Sequence, residues 1–113
     1  MREERLKGKR EIKEVFNNGK RFGSHGGKLF LLRNGLPHNR ICFTFSKGFG
    51  NAVVRNRARR LGREAFRLMR SRLSGGYDLI LLIYPKPEGI KAATLSGRTL
   101  QLETLFSKAG LLK

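Results

Sequence analysis

Apolar positions along this 113-residue chain change their spacing several times, and each change marks an element. Between Lys9 and Asn18, Ile12, Val15 and Phe16 recur three and four residues apart, which is the spacing of one helix face. Asn18-Gly19 follows, offering the left-handed backbone that commonly ends helices. The period then drops to two. Lys20–Ser24 fits a short strand, Gly26-Gly27 breaks it, and Lys28-Leu29-Phe30-Leu31-Leu32-Arg33 is an apolar run closed by the turn pair Asn34-Gly35. From Arg40 to Ser46 the pattern alternates, with Ile41, Phe43 and Phe45 on one side and Cys42, Thr44 and Ser46 on the other. Two apolar strands around a short turn-rich loop predict an antiparallel pair. Asn51 is placed to cap a long helix reaching about Leu73, where Ser74-Gly75-Gly76 stops it. Tyr77–Tyr84 is the most apolar run and predicts a central strand buried on both faces, ended by Pro85-Lys86-Pro87. Leu95, Leu102, Leu105, Phe106 and Ala109 return to helical spacing before Gly110. The expected architecture is one α+β domain over residues 1–113 in the order αβββαβα. It has a single mixed, mainly antiparallel four-stranded sheet with three helices packed on it. The first eight residues or so, of mixed charge, are expected to fray.

Charge narrows the choice of partner. Lys and Arg number 25 against 8 Asp and Glu, a net charge of +17. A domain so unbalanced repels itself unless a polyanion neutralises it, and nucleic acid is the usual polyanion. Anionic membrane is the competing partner, but no stretch approaches the roughly 18 apolar residues of a spanning helix. The opening Met1–Lys13 is mostly charged and does not read as a signal peptide. The lone Cys42 can form no internal disulfide, which fits a reducing compartment and hence the cytoplasm. Its strand setting reads as a small buried hydrophobe and not as a nucleophile. His25 and His38 lack the spacing of metal ligands or of a catalytic triad. No catalytic residue and no metal site are therefore expected on the protein itself.

The helix beginning at Asn51 carries the strongest signal. Projected at about 100° per residue, Val54, Ala58, Leu61, Ala65, Leu68 and Met69 form an apolar stripe, while Asn56, Arg59, Arg60, Arg63, Arg67 and Arg70 lie opposite. Eight arginines stand between Asn51 and Leu73, with Glu64 as the only acid. A merely solvated face normally mixes signs so that pairs one turn apart attract, whereas like charges at that spacing cost about 0.2–0.5 kcal/mol per pair. The preference for Arg over Lys also points to phosphate and base recognition, because a guanidinium fork binds phosphate oxygens in pairs and stacks on planar groups. With six to eight such contacts, log K against log salt is expected to slope about −4 to −7.

The run Ser46-Lys47-Gly48-Phe49-Gly50-Asn51-Ala52-Val53-Val54-Arg55-Asn56-Arg57-Ala58-Arg59-Arg60-Leu61-Gly62-Arg63-Glu64-Ala65-Phe66-Arg67 closely resembles the Arg-Asn-Arg signature of the bacterial ribonuclease P protein family. Arg5-Leu6-Lys7, Val15-Phe16 before a Gly, and Tyr77-Asp78 opening an apolar strand extend the likeness over most of the chain. The resemblance implies an α/β sandwich of the kind also found in a domain of a small-subunit ribosomal protein. It implies a protein that joins a large catalytic RNA, which uses Mg²⁺ to hydrolyse precursor tRNA and release the 5′ leader. Arg55, Asn56, Arg57, Arg59, Arg60, Arg63 and Arg67 are then the residues expected to bind the RNA subunit. Phe16, Ile12, Ser46, Lys47 and Asn51 are those expected near the leader, in a cleft between the sheet and the first helix. Phe16 also fits ordinary core, and Asn51 also fits a simple helix cap.

This chain departs from the family pattern at three places. Ile12 stands where a second cleft Phe is usual, Gly62 replaces a larger apolar residue in mid-helix, and Pro85 occupies a position near which the family places a basic residue, with Lys86 as a substitute. Two other readings share the charge. A structural ribosomal or nucleoid protein would bind generic duplexes equally well, and a self-sufficient nuclease would cleave without RNA.

Overall fold

The computed structural model describes residues 4–24, 26–85 and 94–113. Its elements follow the expected order: α1 (Lys9–Asn18), β1 (Lys20–Ser24), β2 (Gly27–Arg33), β3 (Arg40–Phe45), α2 (Ala52–Met69), β4 (Tyr77–Ile83) and α3 (Leu95–Lys108). The long helix ends earlier than Leu73. It tightens into a 3₁₀ turn over Arg70–Arg72, where the Leu73 N–H donates to the Arg70 carbonyl at 3.2 Å.

Strand order is β1-β2-β4-β3, with β1/β2 and β2/β4 antiparallel and β3/β4 parallel. The expected antiparallel pairing of β2 with β3 is therefore wrong. The strand with the least polar sequence takes the centre, because Leu79, Ile80 and Leu81 are fully buried only there, and it separates the two strands that the loop joins. That loop folds onto the start of β4: Asn34 donates to the His38 carbonyl at 3.2 Å and to Asp78 Oδ1 at 2.9 Å. Arg40 grips the same carboxylate in a two-pronged pair, both bonds at 2.7 Å, which raises the Arg40 pKa.

Alternation along the strands builds two cores. Leu29, Leu31, Ile41, Phe43, Leu79, Leu81 and Ile83 face α2 and α3, against Ala65, Phe66, Met69, Leu102, Leu105 and Phe106. On the other face Phe30 and Ile80 meet Val15 of α1 and Leu6, with Ile12, Phe16, Cys42 and Leu82 half-buried around them. The α1 helix packs on β2 and β4, so the β3 stretch of that face, Cys42 and Thr44, forms a half-buried shelf beside it.

Glu4–Leu6, expected to fray, is instead ordered against β3. The Leu6 N–H donates to the Ile41 carbonyl at 3.0 Å, the Ile41 N–H to the Glu4 carbonyl at 2.7 Å, and Leu6 is buried. The reason is the free edge of β3, whose unpaired backbone groups need a partner; residues 1–3 lie outside the described set. Gly19 also differs from expectation. Its backbone is extended, not left-handed, and an added Cβ would meet the Val15 carbonyl oxygen at 2.5 Å, so glycine is needed there for close approach. The buried stripe of α2 also differs from the sequence projection: Leu68 is exposed, whereas Gly62 and Phe66 belong to the buried seam. Arg98 of α3 is buried, donating through Nη1 to Gln101 Oε1, and burial lowers its pKa.

Candidate nucleic-acid interface

The N-terminus of α2 is built by its cap. Asn51 Oδ1 accepts from the Val54 N–H at 3.1 Å, satisfying one of the donors that an α-helix leaves open at its start. Ala58, Gly62, Ala65, Phe66 and Met69 press onto the sheet, and that seam turns the arginines outward. Arg57, Arg60, Arg63 and Arg67 are exposed, and Arg55 and Arg59 are half-buried. The seven residues named from sequence for this face thus come together on one helix.

Pairing divides the arginines into two groups. Arg67 is held by Glu64, with Nε to Oε2 at 3.1 Å and Nη2 to Oε1 at 2.5 Å, and this contact lowers the Glu64 pKa. Arg70 pairs with Glu4, and Arg72 with Glu103 at 2.9 Å. Among the described residues no carboxylate pairs with Arg55, Arg57, Arg59, Arg60 or Arg63. Partial desolvation of its guanidinium, together with repulsion from Arg5 and Arg59, lowers the pKa of the largely exposed Arg63, so the face carries uncompensated positive charge. Arg5, brought in by the strand-edge pairing, was not named as a site residue from sequence. Nothing in a local pattern places an N-terminal residue beside a helix that starts almost fifty residues later.

Arg63 shares a cavity of about 280 Å³ with Glu4, Arg5, Arg67 and Arg70, floored by Ile41 and Phe66. The arginine face also reaches the edge that bounds the shelf: Arg59 and Arg63 both pull on the Cys42 thiol, though burial dominates and raises its pKa. Cys42 is therefore a neutral, half-buried thiol, in line with its reading as a small hydrophobe.

The residues named for the cleft fall in two places. Ile12 and Phe16 of α1 are half-buried, and the Phe16 ring meets Phe30 edge to face with centroids 4.9 Å apart. The inner part of Phe16 is thus core, while its partial exposure leaves some ring surface open to solvent. Ser46, Lys47 and Asn51 lie in the β3–α2 connection: Ser46 is tied down through its N–H to the Ile83 carbonyl at 3.0 Å, and Lys47 is exposed. Pro85 is exposed beyond β4, and Lys86, its substitute cation, lies outside the described residues, as does His25.

A model of the family described as Ribonuclease P matches residues 1–110. The chain belongs to the ribonuclease P protein family. Among curated relatives, the ribonuclease P protein component of Caldanaerobacter subterraneus subsp. tengcongensis is 42% identical over 78 residues, covering 69% of this chain and 67% of that protein. That of Borreliella burgdorferi is 46% identical over 81 residues, with 69% and 68% covered. The solved RNase P protein of Staphylococcus aureus superposes with a TM-score of 0.81 at 22% identity over 99% of this chain and all of that one, and that of Thermotoga maritima with 0.70 at 23% over 94% of each. At such identity the structures establish the shared fold, and the family model together with the curated relatives establishes membership. As a ribonuclease P protein component, the chain is a subunit of an endoribonuclease of tRNA processing.

Proposed function

We propose that this ribonuclease P protein binds the catalytic RNA through the arginine face of α2 and receives the precursor-tRNA 5′ leader on the shelf between α1 and β3. The observation that carries the reading is the set of five arginines on α2 that no described carboxylate neutralises, although other acids of the chain pair readily with neighbouring cations. Such a face is stabilised by phosphates, and binding releases the counterions condensed on the RNA. The protein then screens repulsion between two RNA molecules and lengthens the contact to the substrate.

Hydrolysis belongs to the RNA, with Mg²⁺ serving that subunit. Glu4, Glu64, Asp78 and Glu103 are each engaged by an arginine, and no three His, Cys, Asp or Glu among the described residues converge as metal ligands. Phe16 supplies stacking surface for an unpaired leader base, with Ile12 extending it more weakly than an aromatic ring would. Ser46, Lys47 and Asn51 line the approach. We assign the cytoplasm as the working compartment and RNA, not DNA, as the partner.

Reconstitution tests this. Added to a bacterial ribonuclease P RNA at physiological salt, the chain should raise precursor-tRNA cleavage, and Arg57→Ala/Arg60→Ala should abolish most of the gain. No gain, together with equal affinity for random duplex DNA, would assign a generic nucleic-acid-binding role instead.

A further inference from the structure

Arg59 differs from every other cation on the α2 face. Its guanidinium carbon lies over the Phe45 ring, 5.2 Å from the centroid, and Phe45 is itself packed on Phe49 with centroids 4.6 Å apart. From a second direction Asn56, one turn earlier, accepts from Arg59 Nη1 at 2.8 Å. A long side chain that normally samples many rotamers is thus fixed by a ring beneath it and by an acceptor at one edge. Arg57 and Arg60 are exposed with no such supports among the described residues, and as unanchored charges they suit phosphates. Arg59 already uses part of its donor edge on Asn56, and its remaining open side is a flat, weakly hydrated surface.

We propose that Arg59 is a stacking platform for an unpaired nucleobase, with Asn56 as the positioning residue that holds its guanidinium over Phe45. The proposal rests on the reading of α2 as the RNA-binding face and specifies what one residue of that face recognises. Guanidinium planes take splayed-out bases as aromatic rings do, and a plane ordered before binding loses less entropy when the base arrives. An ammonium has no plane, so the same position filled by Lys keeps the charge and loses the platform. Asn56 then contributes through Arg59, and its removal releases the guanidinium instead of deleting a contact to RNA.

Three variants, Arg59→Lys, Asn56→Ala and the double variant, would be titrated against a single-stranded uridine oligonucleotide and a blunt RNA duplex over a range of salt. Thermal melts would establish that each is folded. Arg59→Lys should weaken single-strand binding by about 5- to 150-fold, the range of losing one base stack, with an unchanged salt slope and little change on the duplex. Asn56→Ala should weaken it in the same sense, and by nothing further in the Arg59→Lys background. Equal losses on both probes, or no loss from Arg59→Lys on either, would overturn the platform and leave Arg59 a phosphate contact. Failure of the wild type to bind either RNA would instead remove the reading of α2 on which it stands.

Discussion

At the scale of single residues, Gly62 reverses its sequence-level meaning. Glycine in a helix interior costs about 1 kcal/mol relative to alanine, so the sequence alone makes Gly62 a weak point. In the folded chain an added Cβ would sit 2.6 Å from Phe43 Cε1 and 2.9 Å from Cζ, and Phe43 is itself buried. Overpacking of that kind costs about 1–3 kcal/mol, which exceeds the propensity gain. Gly62→Ala should therefore lower stability, read as a fall in the urea midpoint; a rise would show that the ring can move aside. Asp78 carries a second prediction. Its carboxylate is nearly buried and takes bonds from Arg40 and Asn34 together. Asp78→Ala should lose about 2–4 kcal/mol in urea denaturation, below the full figure for a buried pair because Arg40 remains a quarter exposed. Neither site could be read from the sequence, since each depends on a neighbour in another element: Phe43 reaches Gly62, and Asp78 meets a cation 38 residues earlier.

Elements were far more legible than their pairing. Periodicity located all three helices and all four strands within a few residues, because each element buries one face of its own and local spacing records which face that is. Strand order was not recorded locally. The parallel β3/β4 pairing follows from competition for the most buried position, and the docking of Glu4–Leu6 follows from an edge that exists only once the sheet has formed. Asn51 was legible both as cap and as leader contact, and the structure establishes the cap. Asn51→Ala should cost about 1 kcal/mol and lower the melting temperature by a few degrees, while Asn51→Asp should retain stability because it caps equally well. In α3 the buried Arg98 has an Nε with no partner, and among the described residues no carboxylate pairs with it. A buried cation without a counterion costs more than the apolar chain that would replace it. Arg98→Met should therefore raise the melting temperature, and a drop would show that this guanidinium does more for the helix than fill space.

At the scale of the whole molecule, the charge of +17 overstates how many cations are ready for RNA. Counted from sequence, six to eight arginines of the long helix face phosphates. In the fold Arg67, Arg70 and Arg72 are engaged by Glu64, Glu4 and Glu103, leaving Arg55, Arg57, Arg59, Arg60 and Arg63 uncommitted on α2. With Arg59 given to a base, the four remaining phosphate contacts give a slope of log K against log salt of about −2.8 to −3.6, shallower than the sequence count requires. Glu64 is the adjustable part of this balance. It lies on the arginine face and competes with phosphate for Arg67, so Glu64→Gln should tighten RNA binding and steepen the slope by about 0.7–0.9. Lowering the pH acts on the same pair. The Arg67 contact holds the Glu64 carboxyl below its ordinary value of 4.5, so its stabilising effect is complete above that value and is lost only as pH falls through the lower, folded one. Wild-type affinity should therefore gain nothing from release of Arg67 between pH 7 and 5, where Glu64→Gln already binds more tightly. A variant that leaves both affinity and slope unchanged would mean that RNA never meets Arg67, and that the interface ends at Arg63.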